Sequence, residues 1–295
     1  MDSVQPLGLY LHIPFCKQKC VYCDFYSLAG NEARMDEYVE ALCSHLVQAA
    51  PSAAAHTVDT VYFGGGTPSY LGAPRLIRIL GTVFQHYSVS ADAEITLEAN
   101  PDSAGDPEIL KSLRQAGFNR ISLGMQSALP RELALLGRRH TPLDVARTME
   151  DARRVGVSNI SLDVMLGISG QTVASACHSV DVAADLGATH LSAYLLKIEP
   201  GTPYGTCPPA DLPSEDDSVD LYHAAFSRME GHGYHQYEIS NAARPGRESR
   251  HNLKYWLSDP YLGIGPAASS CVGGHRFTYP RDTAAFIAGC DPVED

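Results

Sequence analysis

Short apolar runs recur along the first 200 residues, separated by stretches with helical periodicity. Residues 9–13 (LYLHI), 60–64 (TVYFG), 94–98 (EITLE), 120–123 (RISL), 160–165 (ISLDVM) and 190–195 (HLSAYL) have the length and residue content of strands. Between them, Val39, Leu42, Cys43, Leu46 and Val47 fall on one helical face, as do Val145, Met149 and Ala152. Strands alternating with helices call for a parallel sheet with helical crossovers. Six such units predict an α/β fold, a partial TIM-like (β/α)6 barrel over residues 1–200; periodicity alone also admits a doubly wound sheet.

The pattern changes after Glu199. Pro200, Pro203, Pro208, Pro209 and Pro213 mark a connector. Ser214 is placed to cap a helix whose apolar stripe is Val219, Tyr222, Phe226 and Met229, closed by Gly231 and Gly233. His235, Tyr237 and Ile239 then alternate like a strand. Gly273-Gly274 reads as a two-residue hairpin turn between residues 270–272 and 276–279. Residues 291–295 show neither a helix terminator nor a closing strand. Residues 201–295 therefore read as a C-terminal α+β extension of the core, from a chain expected to stop short of a further small domain.

The chain carries 34 acidic against 22 basic side chains, a net charge of −12. That balance argues against nucleic acid as a partner, because lysine and arginine must neutralise phosphates. No apolar run approaches the ~18 residues of a spanning helix, so an integral membrane protein is not expected. No basic residue precedes Lys17, and no secretory signal is visible. A reducing, cytoplasmic setting is the expectation, and it argues against disulfides as the use of the eight cysteines.

Five of those cysteines are scattered and read as small buried hydrophobes or bystanders. Cys16, Cys20 and Cys23 instead form a CxxxCxxC segment directly after the first strand. In a parallel α/β fold the C-terminal ends of the strands face the active side, so three thiols arrive there together. Soft thiolates suit an iron–sulfur cluster, or zinc completed by a histidine such as His12. With three thiolates on a four-iron cluster, one iron keeps an open position.

The segment, with Tyr22 just before its last cysteine, resembles the radical S-adenosylmethionine (SAM) superfamily. The resemblance continues through Gly64 to Ser69 (GGGTPS), Glu98 to Pro101 (EANP), Asn119 to Ser127 (NRISLGMQS), Asp163 through Gly170-Gln171-Thr172, and His190 to Tyr194 (HLSAY). Together these are similar to the branch that holds oxygen-independent coproporphyrinogen III oxidases and the HemW heme chaperones. One local departure is Gly167-Ile168-Ser169-Gly170, where the family commonly has leucine-proline before the glycine.

The resemblance implies a radical SAM partial barrel in which Cys16, Cys20 and Cys23 hold a [4Fe-4S] cluster. S-adenosyl-L-methionine chelates the iron without a thiolate, and reduction releases a 5′-deoxyadenosyl radical. It implies that Gly65, Gly66 and Thr67 hold the methionyl end and that Tyr10 and Tyr22 pack beside cluster and cofactor. Glu98 and Ala193 would line the adenosyl pocket. Gln126, Arg138 and Asp163 match positions that contact a second cofactor molecule in the oxidases. No residue is assigned a catalytic role.

His251-Asn252-Leu253-Lys254-Tyr255-Trp256 is the HNxxYW segment of the chaperone branch. It makes His251, Asn252, Tyr255 and Trp256 candidates for heme contact, since imidazole ligates heme iron and aromatic faces suit a porphyrin. The bland alternative is a core tryptophan and a structural histidine. Arg120, Lys197 and Arg250 are cations that porphyrin carboxylates accept, each also readable as a routine surface or capping residue.

Two functions of different kind follow. One is an oxidase that decarboxylates two propionates of coproporphyrinogen III; the other is a chaperone that carries heme to hemoproteins, membrane-bound respiratory enzymes included. True oxidases carry a further cysteine two residues after the third ligand, where this chain has Phe25, and a longer segment before the first cysteine. Both features, with HNLKYW, favour the chaperone.

Overall fold

The computed structural model describes residues 5–294. Six parallel strands form where the apolar runs predict them: β1 (Gln5–Ile13), β2 (His56–Gly65), β3 (Val89–Ala99), β4 (Arg120–Gln126), β5 (Asn159–Leu166) and β6 (His190–Leu195). They pair in chain order, β1 beside β2 through to β5 beside β6. The helices between them include α1 (Met35–Ala49), α2 (Ala73–His86), α3 (Pro107–Ala116), α4 (Pro142–Arg154) and α5 (Val173–Asp185). This in-order parallel sheet is the open-barrel alternative, not the doubly wound one, whose strand order reverses.

Every strand has two faces, and the side-chain period of two divides their chemistry. Leu9, Leu11 and Ile13 of β1, Val61 and Phe63 of β2, and Ile95 and Leu97 of β3 turn outward into one core under α1 and α2. Ile121, Leu123, Leu162, Val164, Leu191 and Ala193 turn outward into a second core with α4 and α5. The alternate positions, Tyr10, Tyr62, Glu98, Ser122, Asp163 and Tyr194 among them, line the interior cavities. Polar side chains therefore collect inside the barrel, and the apolar ones are sealed beneath helices.

The segment after residue 200 joins both edges of this sheet. Ser214 caps α6 (Glu215–Gly231) as expected, in a capping box with Asp217. Its buried face differs from the predicted stripe: Leu221, Ala225, Phe226 and Met229 are buried, while Val219 is exposed. The reason is a shift in the helix rotation that brings Leu221 onto the α5 side. Val47 of α1 is likewise exposed.

The predicted alternating strand at 235–239 is cut to β7 (His235–Gln236), and Ile239 lies exposed in a bend. There Tyr222 Oη and Gln236 Nε2 donate to the Ile239 carbonyl, taking it out of any ladder. β8 (Asn241–Ala243) then pairs antiparallel with both β6 and β7.

α7 (Arg250–Leu257) follows and rests across the barrel. β9 (Tyr261–Ile264) enters parallel to β1, with Gly8 opposite Tyr261. β10 (Ser269–Val272) and β11 (His275–Thr278) form the predicted hairpin about Gly273-Gly274. Contrary to the expectation for the last residues, β12 (Val293–Glu294) forms a short closing strand on β11. Among the described residues the sheet thus has twelve strands. Among the described residues no helix is long and apolar enough to cross a membrane.

Candidate functional site

The C-terminal ends of the strands open on a cavity of about 280 Å³. Cys16, Cys20 and Cys23 edge it, all with free thiols. The main chain folds back here: the Cys23 N–H donates to the Cys20 carbonyl, and Phe15–Cys16 pairs with Leu28–Ala29. Thr67 Oγ1 lies 3.5 Å from Cys16 Sγ. Burial raises the pKa values of the Cys20 and Cys23 thiols, so binding a metal there must release protons.

Zinc completed by His12 does not match this arrangement. His12 is buried away from the thiols, its Nε2–H donating to the Tyr26 carbonyl and its Nδ1 accepting from Tyr10. Among the described residues no three His, Cys, Asp or Glu side chains converge closely enough to hold one metal ion. The three thiols border one shared cavity.

The glycine loop after β2 forms the opposite rim. Its main chain is pulled inward: the Gly66 and Thr67 N–H groups donate to the Ile13 and Phe15 carbonyls, each at 2.8 Å. A Cβ on Gly66 would stand 2.8 Å from the Phe15 carbonyl oxygen, and Gly65 sits at φ +112°. Only glycine permits that backbone and that approach.

Glu98 closes the next wall. Its carboxylate accepts from Tyr62 Oη at 2.8 Å and from the Gly65 N–H at 3.1 Å. Burial outweighs these two bonds, and the Asp163 carboxylate adds to it, raising the Glu98 pKa to about 7. Asp163 is itself raised to about 6, chiefly by burial, although Ser122 Oγ donates to it at 3.2 Å. The cavity therefore holds two carboxyl groups poised near neutrality, a frequent property of ligand sites.

Arg138 crosses the cavity, donating to Asn100 Oδ1 at 2.8 Å and to Tyr22 Oη at 2.7 Å. Asn100 in turn donates to Thr67 Oγ1. Gln126, at φ +66°, is held on the same wall. Arg138 Nε and Gln126 Oε1 are buried without a partner, and buried polar atoms ordinarily have one. Three free thiols on one cavity, with unpartnered buried polar atoms on the Arg138 and Gln126 side chains that line it, fit a cluster with a zwitterionic ligand.

Of the residues implied by resemblance, Cys16, Cys20, Cys23, Tyr22, Gly65, Gly66, Thr67, Glu98, Gln126, Arg138 and Asp163 share this cavity. Tyr10 lies behind Glu98, lining two neighbouring cavities and stacked against Tyr62. Ala193 departs from expectation. It stands on the helix-facing side of β6, buried in the second core, while its neighbour Tyr194 lines the cavity. The Ala193 N–H donates to the Ser240 carbonyl. Four further residues line the cavities without having been singled out in the sequence: Tyr62, Ser122 and Tyr194 by their inward register on the strands, and Asn100 just past the end of β3.

The heme candidates divide. His251 is 1% exposed and engaged at both nitrogens, with Thr60 Oγ1 at 2.8 Å and Tyr255 Oη at 2.9 Å. Burial lowers its pKa to about 3, so it stays neutral. Neither nitrogen is free to ligate iron, which corrects that reading. Asn252 donates to Glu238 Oε1, and Tyr255 lines an interior cavity with His251. Trp256 is on the outer face, 54% exposed, so it is not the core residue of the bland reading either. One face of the segment is anchored: Lys254, 3% exposed, pairs with Asp59 at 2.9 Å, and Glu94 accepts the His251 N–H.

Three comparisons bear on this geometry. The Radical SAM superfamily model matches residues 10–183. Heme chaperone HemW of Mycobacterium tuberculosis H37Rv is 40% identical over 97% of this chain and 75% of its own length. Heme chaperone HemW of Escherichia coli K12 is 39% identical over 95% and 72%. Among solved structures, the radical SAM coproporphyrinogen III oxidase HemN of Escherichia coli superposes with a TM-score of 0.86 at 25% identity, covering 96% of this chain and 69% of that one.

Proposed function

The chain belongs to the radical SAM superfamily, in the branch of HemW and HemN, and from that premise we propose that it is a heme chaperone. In this reading the protein binds a [4Fe-4S] cluster, SAM and heme, and passes heme to hemoproteins.

When bound, the cluster supplies an electron and an iron position open to the amino and carboxylate groups of SAM. The chain's own residues do the rest. The glycine rim brings main-chain groups against the methionyl end without side-chain obstruction. Arg138 is preorganised by Asn100 and Tyr22 to meet a carboxylate. Glu98, with its proton affinity near neutrality, can accept from hydroxyl or amino groups of the ligand.

The observation that carries the chaperone reading is Phe25. It is 68% exposed and lines the cavity beside the three thiols, at the position where the oxidases have a further cysteine. A large aromatic face held in water beside a ligand cavity is costly to leave uncovered, and a porphyrin plane suits it. Tyr194, 42% exposed on the same cavity, offers a second such face.

The test is anaerobic. Protein with reconstituted cluster is expected to bind heme, read from its Soret band, and to leave coproporphyrinogen III unconverted in the presence of SAM and reductant. Formation of protoporphyrinogen IX would transfer the protein to the oxidase class. Absence of heme binding would end the chaperone reading.

A further inference from the structure

A second cavity, of about 310 Å³, lies inside the barrel, and Glu98, Ser122 and Tyr194 belong to the walls of both. Arg120 faces it from the start of β4. The residue is 2% exposed. Its guanidinium makes no hydrogen bond and no ion pair among the described residues, and Nε is buried without a partner. Thr96, which sits opposite Arg120 in the strand register, has an unpartnered Oγ1, and Asn241 on the cavity wall has an unpartnered Oδ1. The other two cations that sequence reading had grouped with Arg120 are accounted for: Lys197 pairs with Glu199, and Arg250 lies near Asp59 and Asp92.

An ionised group so deep in a protein needs a counter-charge or hydrogen bonds that replace water. The buried carboxylates of Glu98 and Asp163 feel the Arg120 charge, but neither pairs with it directly: Glu98 accepts from Tyr62 and Gly65, and Asp163 accepts from Ser122. We propose that Arg120 anchors a carboxylate-binding subsite beside the cofactor cavity, taking one carboxylate of a ligand on its planar fork. A monoanion balances the single cation, whereas a phosphate dianion would add uncompensated charge next to Glu98. The Tyr10, Tyr62 and Tyr255 rings that border the cavity provide an apolar wall for a short aliphatic stem. Guanidinium and carboxylate match in two parallel N–H···O bonds, which an ammonium does not reproduce.

Such a carboxylate comes either from a propionate of a tetrapyrrole seated in the adjoining cavity, which rests on the heme reading above, or from a free short-chain acid. The experiment separates them with the full chain carrying its cluster. Heme and heme dimethyl ester are titrated by Soret absorbance, and propionate by calorimetry, against wild type, Arg120→Met and Arg120→Lys.

For a porphyrin propionate, heme binds wild type roughly 10-fold tighter than its diester. Arg120→Met then abolishes that gap without changing diester affinity. A free-acid site shows no gap but gives propionate binding that Arg120→Met removes. A gap that survives Arg120→Met, or no gap together with no propionate binding in wild type, overturns the subsite. Should neither heme form bind wild type, the heme reading fails, and the propionate titration alone decides for or against the subsite. If Arg120→Met does not fold, Arg120→Lys takes its place, and full retention of acid selectivity in that variant counts against the fork.

Discussion

Tyr22 Oη lies 2.7 Å from an Arg138 terminal nitrogen, joining the cysteine loop to a residue 116 positions further along the chain. The guanidinium spans the cavity between Tyr22 and Asn100, and so the loop that carries the thiols and the wall that faces the ligand are one hydrogen-bonded unit. Tyr22→Phe breaks this link and removes the hydroxyl that lies beside the Cys20 thiol, while leaving all three thiols in the chain. Cluster content is expected to stay at the wild-type level while SAM affinity falls roughly 10-fold, the scale of one hydrogen bond to a charged group. Iron analysis and calorimetric titration of SAM measure the two separately; a loss of iron in the variant would show that Tyr22 supports the loop itself.

Cys20→Ala should prevent cluster assembly, because two thiolates leave half the cube unheld. Iron and sulfide content after anaerobic reconstitution, with the ~400 nm charge-transfer region as a second readout, should fall to background. Cys43→Ala serves as the control, since Cys43 lies on α1, packed against the outer core. Retained cluster absorbance in Cys20→Ala would contradict the assignment.

Gly66→Ala puts a methyl group 2.8 Å from one carbonyl oxygen and 3.0 Å from another, both main-chain and unable to swing aside. We expect a loss of about 1–3 kcal/mol in stability, the range for forced overpacking. The denaturant midpoint should fall with the slope unchanged. A variant as stable as wild type would mean that the loop is looser than its hydrogen bonds to Ile13 and Phe15 indicate.

Glu98 gives a pH dependence of defined sign. Its pKa rises from an ordinary 4.5 unfolded to about 7 folded, so the native state holds a proton that the unfolded chain releases. The associated stability is complete below about pH 4.5 and is lost as pH rises through 7. Asp163, raised to about 6, acts in the same direction at slightly lower pH. Urea midpoints at pH 5 and pH 8 should therefore differ less in Glu98→Gln than in wild type. An equal difference in both would locate the titration elsewhere.

His251→Phe should weaken the fold and spare heme binding. It leaves Thr60 and Tyr255 without their partner, at a cost of about 1–3 kcal/mol for the buried polar atoms. A lower thermal midpoint with an unaltered Soret maximum is the expected pair of results. A shifted Soret band would restore His251 as an iron ligand.

Much of this was legible in the chain. The parallel strands showed as short apolar runs because their outer faces are sealed beneath helices, and the thiol segment, the glycine rim and Glu98 each lie at or just past the C-terminal end of a strand, where an α/β fold puts its chemistry. What stayed hidden depends on strand register. Ala193 and Tyr194 are adjacent in sequence and point to opposite sides, and nothing local distinguishes which of them faces the ligand. His251 and Trp256 carry the residue types of a heme site, yet tertiary packing buries one among Thr60 and Tyr255 and leaves the other on the surface. Arg120 could not be told apart from Lys197 and Arg250 as a partner for carboxylates, because a sequence contains no measure of burial.

The pairing of Gly8 with Tyr261 sets a schedule for biosynthesis. The outer edge of β1 acquires its neighbour only after residues 261–264 have left the ribosome, although its inner neighbour β2 is available once residue 65 has. A nascent molecule thus exposes a row of unmet amide and carbonyl groups over that interval, the kind of template on which chains stick to one another. Slowing elongation should raise insoluble yield, and co-expressed holdases should lower it.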